Sequence, residues 1–435
     1  MARIGQVKQP ASPDGVRLTD RISIGVLADA FPRDLIDEVL TQTGRREQRS
    51  RLLPAHVMVR FAQAMCLFFD DDYEEVMRKL VGSLRSMGSW QDAWRIPSTS
   101  AITQARQRLG ADPLRVLFER AAVPVAGRGT KGAWLGPRRL MAIDGSLLDV
   151  PDTAENTEAF GRLGRGPKAG VFPKVRVVGL GECGSHAIVG AAMGSCRVGE
   201  QTLAPALLGA LEPDMLVMAD RNFFSYALWR DALATGAALL WRVSASVELP
   251  VIDRLDDGSY VSLVLNPKVT GARRRKLLQR ARAGEQLPED AAIAVRVLEY
   301  EIPDRNGNGT GELICLITSI LDPSDAPAAQ LAAAYHERWE FEGLLDELKT
   351  HQRGPGRVLR SKSPEMVRQE IWALLLTHYA IRKLMCHAAD EADIDPDRLS
   401  FIRSLRVVRR HVTDQAAFSP STTARRHRGS HGRNP

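Results

Sequence analysis

Three carboxylates and three neighbouring side chains carry whatever chemistry this sequence holds: Asp144, Asp220 and Glu342, with Tyr335, Arg338 and Lys349 around the last of them. The stretch Ala332 to Gln352, AAAYHERWEFEGLLDELKTHQ, is rich in Ala, Leu, Glu and Arg and predicts one amphipathic helix. At about 100° per residue, Tyr335, Arg338, Glu342 and Lys349 fall within an arc of about 60°. Phe341, Leu344, Leu345 and Leu348 form an apolar stripe beside them that can pack on a sheet. Carboxylates drawn together can hold a hard divalent cation, and cations beside them can hold phosphates. The plainer reading is a surface helix with an i, i+4 ion pair between Arg338 and Glu342. Chemistry is favoured by the company the helix keeps, because Asp144 (MAIDGS) and Asp220 (VMADRNF) stand where predicted strands end.

Tyr335-x2-Arg338-x3-Glu342-x6-Lys349, preceded by Asp-Gly-Ser at Asp144 and Asp-Arg-x-Phe at Asp220, resembles the signature of bacterial insertion-sequence transposases of the DDE class. The similarity is to the branch that carries this helix and an N-terminal helical domain binding the element's ends. It runs over residues 138–410, and more loosely over 21–126. It implies an α/β protein: an RNase H-like catalytic domain with a β-rich insertion, preceded by an all-α domain. It also implies an enzyme that binds the inverted ends of its own element, excises it and joins it to target DNA.

Under that resemblance Asp144, Asp220 and Glu342 are the catalytic and metal-binding residues, with two Mg²⁺ ions expected and Mn²⁺ able to substitute. Paired ions about 3.5–4 Å apart activate a water and stabilise the leaving 3′ oxygen. Asp144 would bridge both ions, and Asp220 and Glu342 would each complete one. Without metal the three acids should raise one another's pKa. Asp149 and Asp152 compete for the first position, and Glu340 and Glu347 for the third. Arg338 and Lys349 are expected to hold phosphates of double-stranded DNA with Tyr335 beside them. Arg221 is either a further DNA contact or the partner of a neighbouring acid. Two ends per element imply a homodimer assembled on DNA. Some members of the branch cut the second strand through a DNA hairpin, stacking an extruded base on an aromatic ring, here Tyr260, Tyr300, Trp241 or Trp339. A catalytically silent DNA-binding derivative and an RNase H-type nuclease are the alternatives.

The elements that must position these residues follow from periodicity. Residues 1–130 are predicted to be a helical DNA-binding domain, with helices over 23–43, 53–69 and 73–83. Pro97 and the Ser98 to Ser100 hydroxyls start a further helix and Gly110 stops it. That helix shows Thr103, Gln104, Arg106, Gln107 and Arg108 and reads either as the base-contacting element of a helix-turn-helix or as part of a plain bundle. The Gly-rich GRGTKGAWLGP, residues 127–137, marks a boundary. Residues 138–243 alternate strands and helices as the first part of the catalytic domain. Within them the loop FGRLGRGPKAGVFPKVR, with Arg162, Arg165 and Lys168, is a candidate phosphate contact near Asp144. Residues 244–323 are predicted as the β-rich insertion, and 324–390 as the helices closing the catalytic domain.

At 435 residues and 44% hydrophobic composition, the chain is long enough for two or three domains. The net charge of +7 is carried by residues 401–435, where eight arginines face one aspartate, so the first 400 residues are formally neutral. Residues 391–435 are therefore expected to be a basic, disordered tail drawn to phosphate backbones; a copy shortened at this end would finish in the same way. Five scattered cysteines without a CxxC pair point to buried free thiols, although Cys183, His186 and Cys196 could supply zinc ligands. The polar N-terminus and the absence of a long apolar run predict a cytoplasmic protein without a membrane partner, and the resemblance implies a bacterial, nucleoid-associated one.

Overall fold

The structure is a computed structural model, and it describes residues 25–49, 51–82, 96–164, 166, 170–285, 287–288, 290–302, 312–354 and 356–411. The described chain divides into two compact units. One holds the N-terminal helices with residues 347–387 and the segment from Leu399, and the other holds residues 124–346 and 388–398.

The first unit is helical. Gly25–Ala30 and Arg33–Gln42 replace the single predicted helix because Pro32 separates them, and Ala55–Leu67, Tyr73–Gly82, Thr99–Leu109 and Asp112–Ala121 follow. Ala55–Leu67 is buried on nearly every side. Its Arg60 is buried too and donates to the Leu27 carbonyl at 2.6 Å and to the Phe31 carbonyl just past the first helix. Thr99–Leu109 begins at Ser98, whose side chain accepts from Ala101 N–H, and ends at Gly110 with φ +72°, as its sequence predicts. The long helix Pro364–Glu391 belongs mostly to this unit, and it is bound to Thr99–Leu109 through Gln369. Within the expected basic tail the described residues include Phe401–His411, a helix in which Phe401, Leu405 and Val408, spaced by four and three, are buried while Arg403, Arg406 and Arg410 face out. Its amphipathic spacing was in the sequence; arginine content alone suggested a solvated tail.

The second unit is built on one ten-stranded sheet. In chain order its strands are β1 (Trp134–Leu135), β2 (Arg138–Asp149), β3 (Lys174–Glu182), β4 (Ile188–Ser195), β5 (Met215–Ala219), β6 (Ala238–Arg242), β7 (Asp253–Arg254), β8 (Tyr260–Leu265), β9 (Ala292–Ile302) and β10 (Glu312–Thr318). The spatial order is β4-β3-β2-β5-β6-β10-β9-β8-β7, with β1 on β2. β2, β3 and β4 are antiparallel neighbours, and β5 and β6 then run parallel to β2, the strand order of an RNase H-like fold. β2 and β5 read as near-continuous apolar runs because both faces of the sheet centre are covered. The predicted insertion is β-rich, but its strands do not form a separate sheet. β10 pairs antiparallel with β6, so β7 to β10 extend the catalytic sheet.

The predicted helix over 332–352 is three pieces. Ala328–His336 ends, the chain turns through Glu337 and Arg338, Trp339–Asp346 forms a second helix, and Glu347–Gln352 is a wider π-helical turn. A constant 100° per residue therefore does not hold across it.

Candidate active site

Strand register places the first two carboxylates. Ile143 on β2 lies opposite Ala219 on the parallel β5, so Asp144 and Asp220, each the next residue, stand side by side. Asp144 occurs within its strand opposite Gly179 of β3, and Asp220 follows the end of β5. Each carboxylate accepts from the next backbone N–H: Asp144 Oδ1 from Gly145 at 2.7 Å, and Asp220 Oδ1 from Arg221 at 2.6 Å.

Glu342 reaches this pair from the Trp339–Asp346 helix, which is seated by a glycine path on β3. Gly179 and Gly181 lie under Phe341: a Cβ on Gly181 would stand 2.7 Å from Phe341 Cε2 and 3.0 Å from Leu344 Cδ1, and one on Gly179 would stand 3.1 Å from Phe341 Cζ. Only glycines let these buried side chains approach the strand so closely.

Arg338, in the turn before that helix, joins the three. Its Nη1 donates to Asp144 Oδ2 at 3.1 Å and its Nη2 lies 3.8 Å from Glu342 Oε1. Its guanidinium stands 5.6 Å from the Tyr335 ring centroid and 5.4 Å from that of Trp339. Burial raises the pKa of Asp144, Asp220 raises it further, and the Gly145 N–H and Arg338 oppose the rise. Glu342 is raised in the same way, by burial and by Asp144 and Asp220 against Arg338. Burial also pushes the Tyr335 phenol up to about 12. Burial alone would lower the pKa of Arg338, but Tyr335 and the three carboxylates raise it. The site thus has an all-oxygen donor set under mutual repulsion, with one buried cation as counter-charge, and hard divalent ions suit such donors. The three carboxylates do not close around a single point: among the described residues only His186, Glu340 and Asp397 bring three ligand atoms within 4.8 Å of one another.

The competing acids have other partners. Asp149 pairs with Lys174, Asp152 with Arg162, and Glu347 with Arg382 and with His378 at 3.1 Å, while Glu340 faces His186 and Asp397.

The expected DNA contacts fare unevenly. Tyr335 and Arg338 are 4% and 6% exposed, so neither is presented to solvent. Lys349 is half-buried on the π-helical turn, in the first unit, and does not share a regular helix with Glu342. Arg221 is exposed, within electrostatic range of Glu312. Arg162 closes its own loop, donating to the Gly170 carbonyl at 3.1 Å and pairing with Asp152. Arg165 and Lys168 lie outside the described residues. Arg106 is 3% exposed, so the base-contacting role expected of it does not fit: its Nε donates to Gln369 Oε1 at 2.9 Å, its Nη2 to Ser361 Oγ at 3.1 Å, and its Nη1 to the Tyr73 hydroxyl. What its neighbourhood does expose is a cleft of about 550 Å³ lined by Arg45, Arg46, Arg49, Arg51 and Arg108, all exposed. The run RREQRSR, residues 45–51, carried this signal in the sequence as four arginines in seven residues. The cysteines are free, four buried and Cys315 half-buried.

Two known families match the chain. One described as "Insertion element 4 transposase N-terminal" matches residues 21–119, and one described as "Transposase DDE domain" matches residues 135–379. The chain is 28% identical over 398 residues to the transposase InsG for insertion sequence element IS4 of Escherichia coli (strain K12), covering 91% of this chain and 84% of that protein. It is 29% identical over 225 residues to the putative transposase InsZ of the same organism, covering 51% and 72%. A solved piggyBac transposase synaptic complex with hairpin DNA superposes loosely, with a TM-score of 0.44 and 12% identity over 94% of this chain and 82% of that one.

Proposed function

Since this chain belongs to the transposases with a DDE domain, enzymes that cut and transfer DNA with divalent metal, we propose that it moves its own insertion sequence by cut-and-paste. In this reading it binds the terminal inverted repeats as a homodimer assembled on DNA, acting on the nucleoid of a bacterial cell. The observation that carries the reading is the register-fixed pairing of Asp144 with Asp220 and their link through Arg338 to Glu342.

Two Mg²⁺ ions, or Mn²⁺ in their place, would supply a metal-activated water and charge stabilisation at the scissile phosphate. Asp144, Asp220 and Glu342 are the residues that would hold them. The buried Arg338 holds Asp144 and Glu342 at fixed separation, and Tyr335 and the Phe341 seat hold Arg338 and the helix. Phosphates of the element's ends would meet the arginine cleft at 45–51 and 108, with Arg221 and Lys349 as further contacts.

Cleavage of labelled end DNA is the test. Wild-type protein with Mg²⁺ should release a 3′-OH at the element boundary, and Glu342→Gln should lose this activity at least a hundredfold while binding end DNA normally. Unimpaired cleavage by that variant would sink the assignment.

A further inference from the structure

Glu340 lies two positions from Glu342, about 200° around the same helix, and so faces away from the three-carboxylate site. It meets two residues from elsewhere in the second unit: His186 in the turn between β3 and β4, and Asp397 in the short 3₁₀ helix Pro396–Arg398. His186 Nε2 stands 3.2 Å from Asp397 Oδ1 and 3.8 Å from Glu340 Oε2. All three ligand atoms lie within 4.8 Å of one another, the one such grouping among the described residues.

We propose that His186, Glu340 and Asp397 form a second metal site, separate from the three-carboxylate centre, that takes a transition ion of the Zn²⁺ class.

Tetrahedral ligands about 2.1 Å from a zinc ion stand about 3.4 Å apart, and the separations of 3.2 and 3.8 Å bracket that edge. Glu340 Oε2 is buried and accepts no hydrogen bond from the described residues, which leaves a ligand lone pair directed at the imidazole. Glu337 and Asp395 add further carboxylates within electrostatic range of Glu340. The imidazole nitrogen selects the ion. Mg²⁺ prefers oxygen ligands only, whereas imidazole with carboxylates suits Zn²⁺, Co²⁺ or Fe²⁺. Asp397 is 39% exposed on its side chain, which leaves an entry path and a position for a water as fourth ligand. The ion would tie the helix carrying Glu342 to the β3–β4 turn and to the 3₁₀ helix, restraining that helix from the side opposite the active site.

The test uses the full chain carrying Asp144→Asn, Asp220→Asn and Glu342→Gln, so that the expected catalytic ligands cannot contribute and no cleavage is read. Co²⁺ is the probe. One Co²⁺ per chain should bind with the intense visible absorption of a tetrahedral site, and Zn²⁺ but not millimolar Mg²⁺ should displace it. Adding Asp397→Asn, a partly exposed and isosteric change, should weaken Co²⁺ binding at least tenfold with an unchanged circular dichroism spectrum, and adding His186→Ala should abolish the absorption. Absence of stoichiometric Co²⁺ binding in the triple variant, or binding unchanged by Asp397→Asn, overturns the proposal.

Discussion

Arg338 donates to Asp144 at 3.1 Å across 194 residues of sequence. This bond gives Asp144 a buried guanidinium as counter-charge, opposing the upward push that burial and the neighbouring Asp220 put on its pKa. The same cation lies 3.8 Å from Glu342, so one side chain spans the strand and the helix of the site.

Stability should respond to pH in a defined direction. Asp144 and Glu342 have folded-state pKa values raised above their ordinary range, so the folded chain holds their protons more tightly than the unfolded chain does. Stability in the absence of metal should therefore fall as pH rises from the ordinary carboxylate range through the raised values, then level off. Millimolar Mg²⁺ or Mn²⁺ should reverse the fall, because metal competes with those protons. Denaturant melts across pH, with and without metal, check this; a stability that rises over that window without metal contradicts it.

The glycine seat under Phe341 predicts a steric effect on catalysis. Gly181→Ala places a methyl within 2.7 Å of the Phe341 ring, so the helix must shift. Overpacking of this kind costs about 1–3 kcal/mol. End-cleavage rate should drop with DNA affinity kept, and Phe341→Leu in the same chain should recover part of both stability and rate. An active Gly181→Ala protein of wild-type stability would show that the helix is not held this way.

Two arginine sets in the first unit should behave oppositely. Arg46→Ala with Arg49→Ala leaves the fold intact and weakens DNA binding, lowering the salt dependence by about one counterion per lost phosphate contact. Arg106→Ala strands buried partners on Gln369 and Ser361 and should cost about 3 kcal/mol of stability. A gel-shift salt series and a denaturant melt on each variant separate the roles. A fragment ending near residue 130 is a poor substitute, since it removes Gln369 and Ser361 from Arg106.

Second-strand cleavage through a hairpin is proposed with Trp339 as the stacking surface. Of the four aromatics considered, Trp241 and Tyr260 are buried, Tyr300 is half-buried, and Trp339 is 57% exposed beside Arg338. Trp339→Ala should slow hairpin formation about tenfold or more, as loss of one stacked base costs about 1–3 kcal/mol, while sparing the first nick. Denaturing gels of labelled ends decide it: only linear 3′-OH and 5′-phosphate products at all times would rule the route out.

Short-range signals made much of this protein legible from sequence. The Thr99–Leu109 helix lies between a serine cap and a glycine stop, and β5, β8 and β9 fall where apolar runs place them, because capping and strand burial are decided by a few neighbouring residues. The motifs around Asp144, Asp220 and Glu342 single these residues out, and strand register and Arg338 bring them together.

What periodicity could not supply depends on residues far apart in the chain. Arg338, where the helix breaks, pairs with Asp144, the burial of Arg106 follows Gln369 and Ser361, and the extension of the sheet through β10 follows its pairing with β6. The helix Phe401–His411 gains its order from burying Phe401, Leu405 and Val408. The meeting of His186, Glu340 and Asp397 has no sequence spacing to announce it, since three separate elements contribute one ligand each. Sequence alone determined which side chains exist and which local elements carry them. Only the tertiary structure decided which charges face each other, because Coulomb energy and desolvation depend on distance and burial in space rather than on separation along the chain.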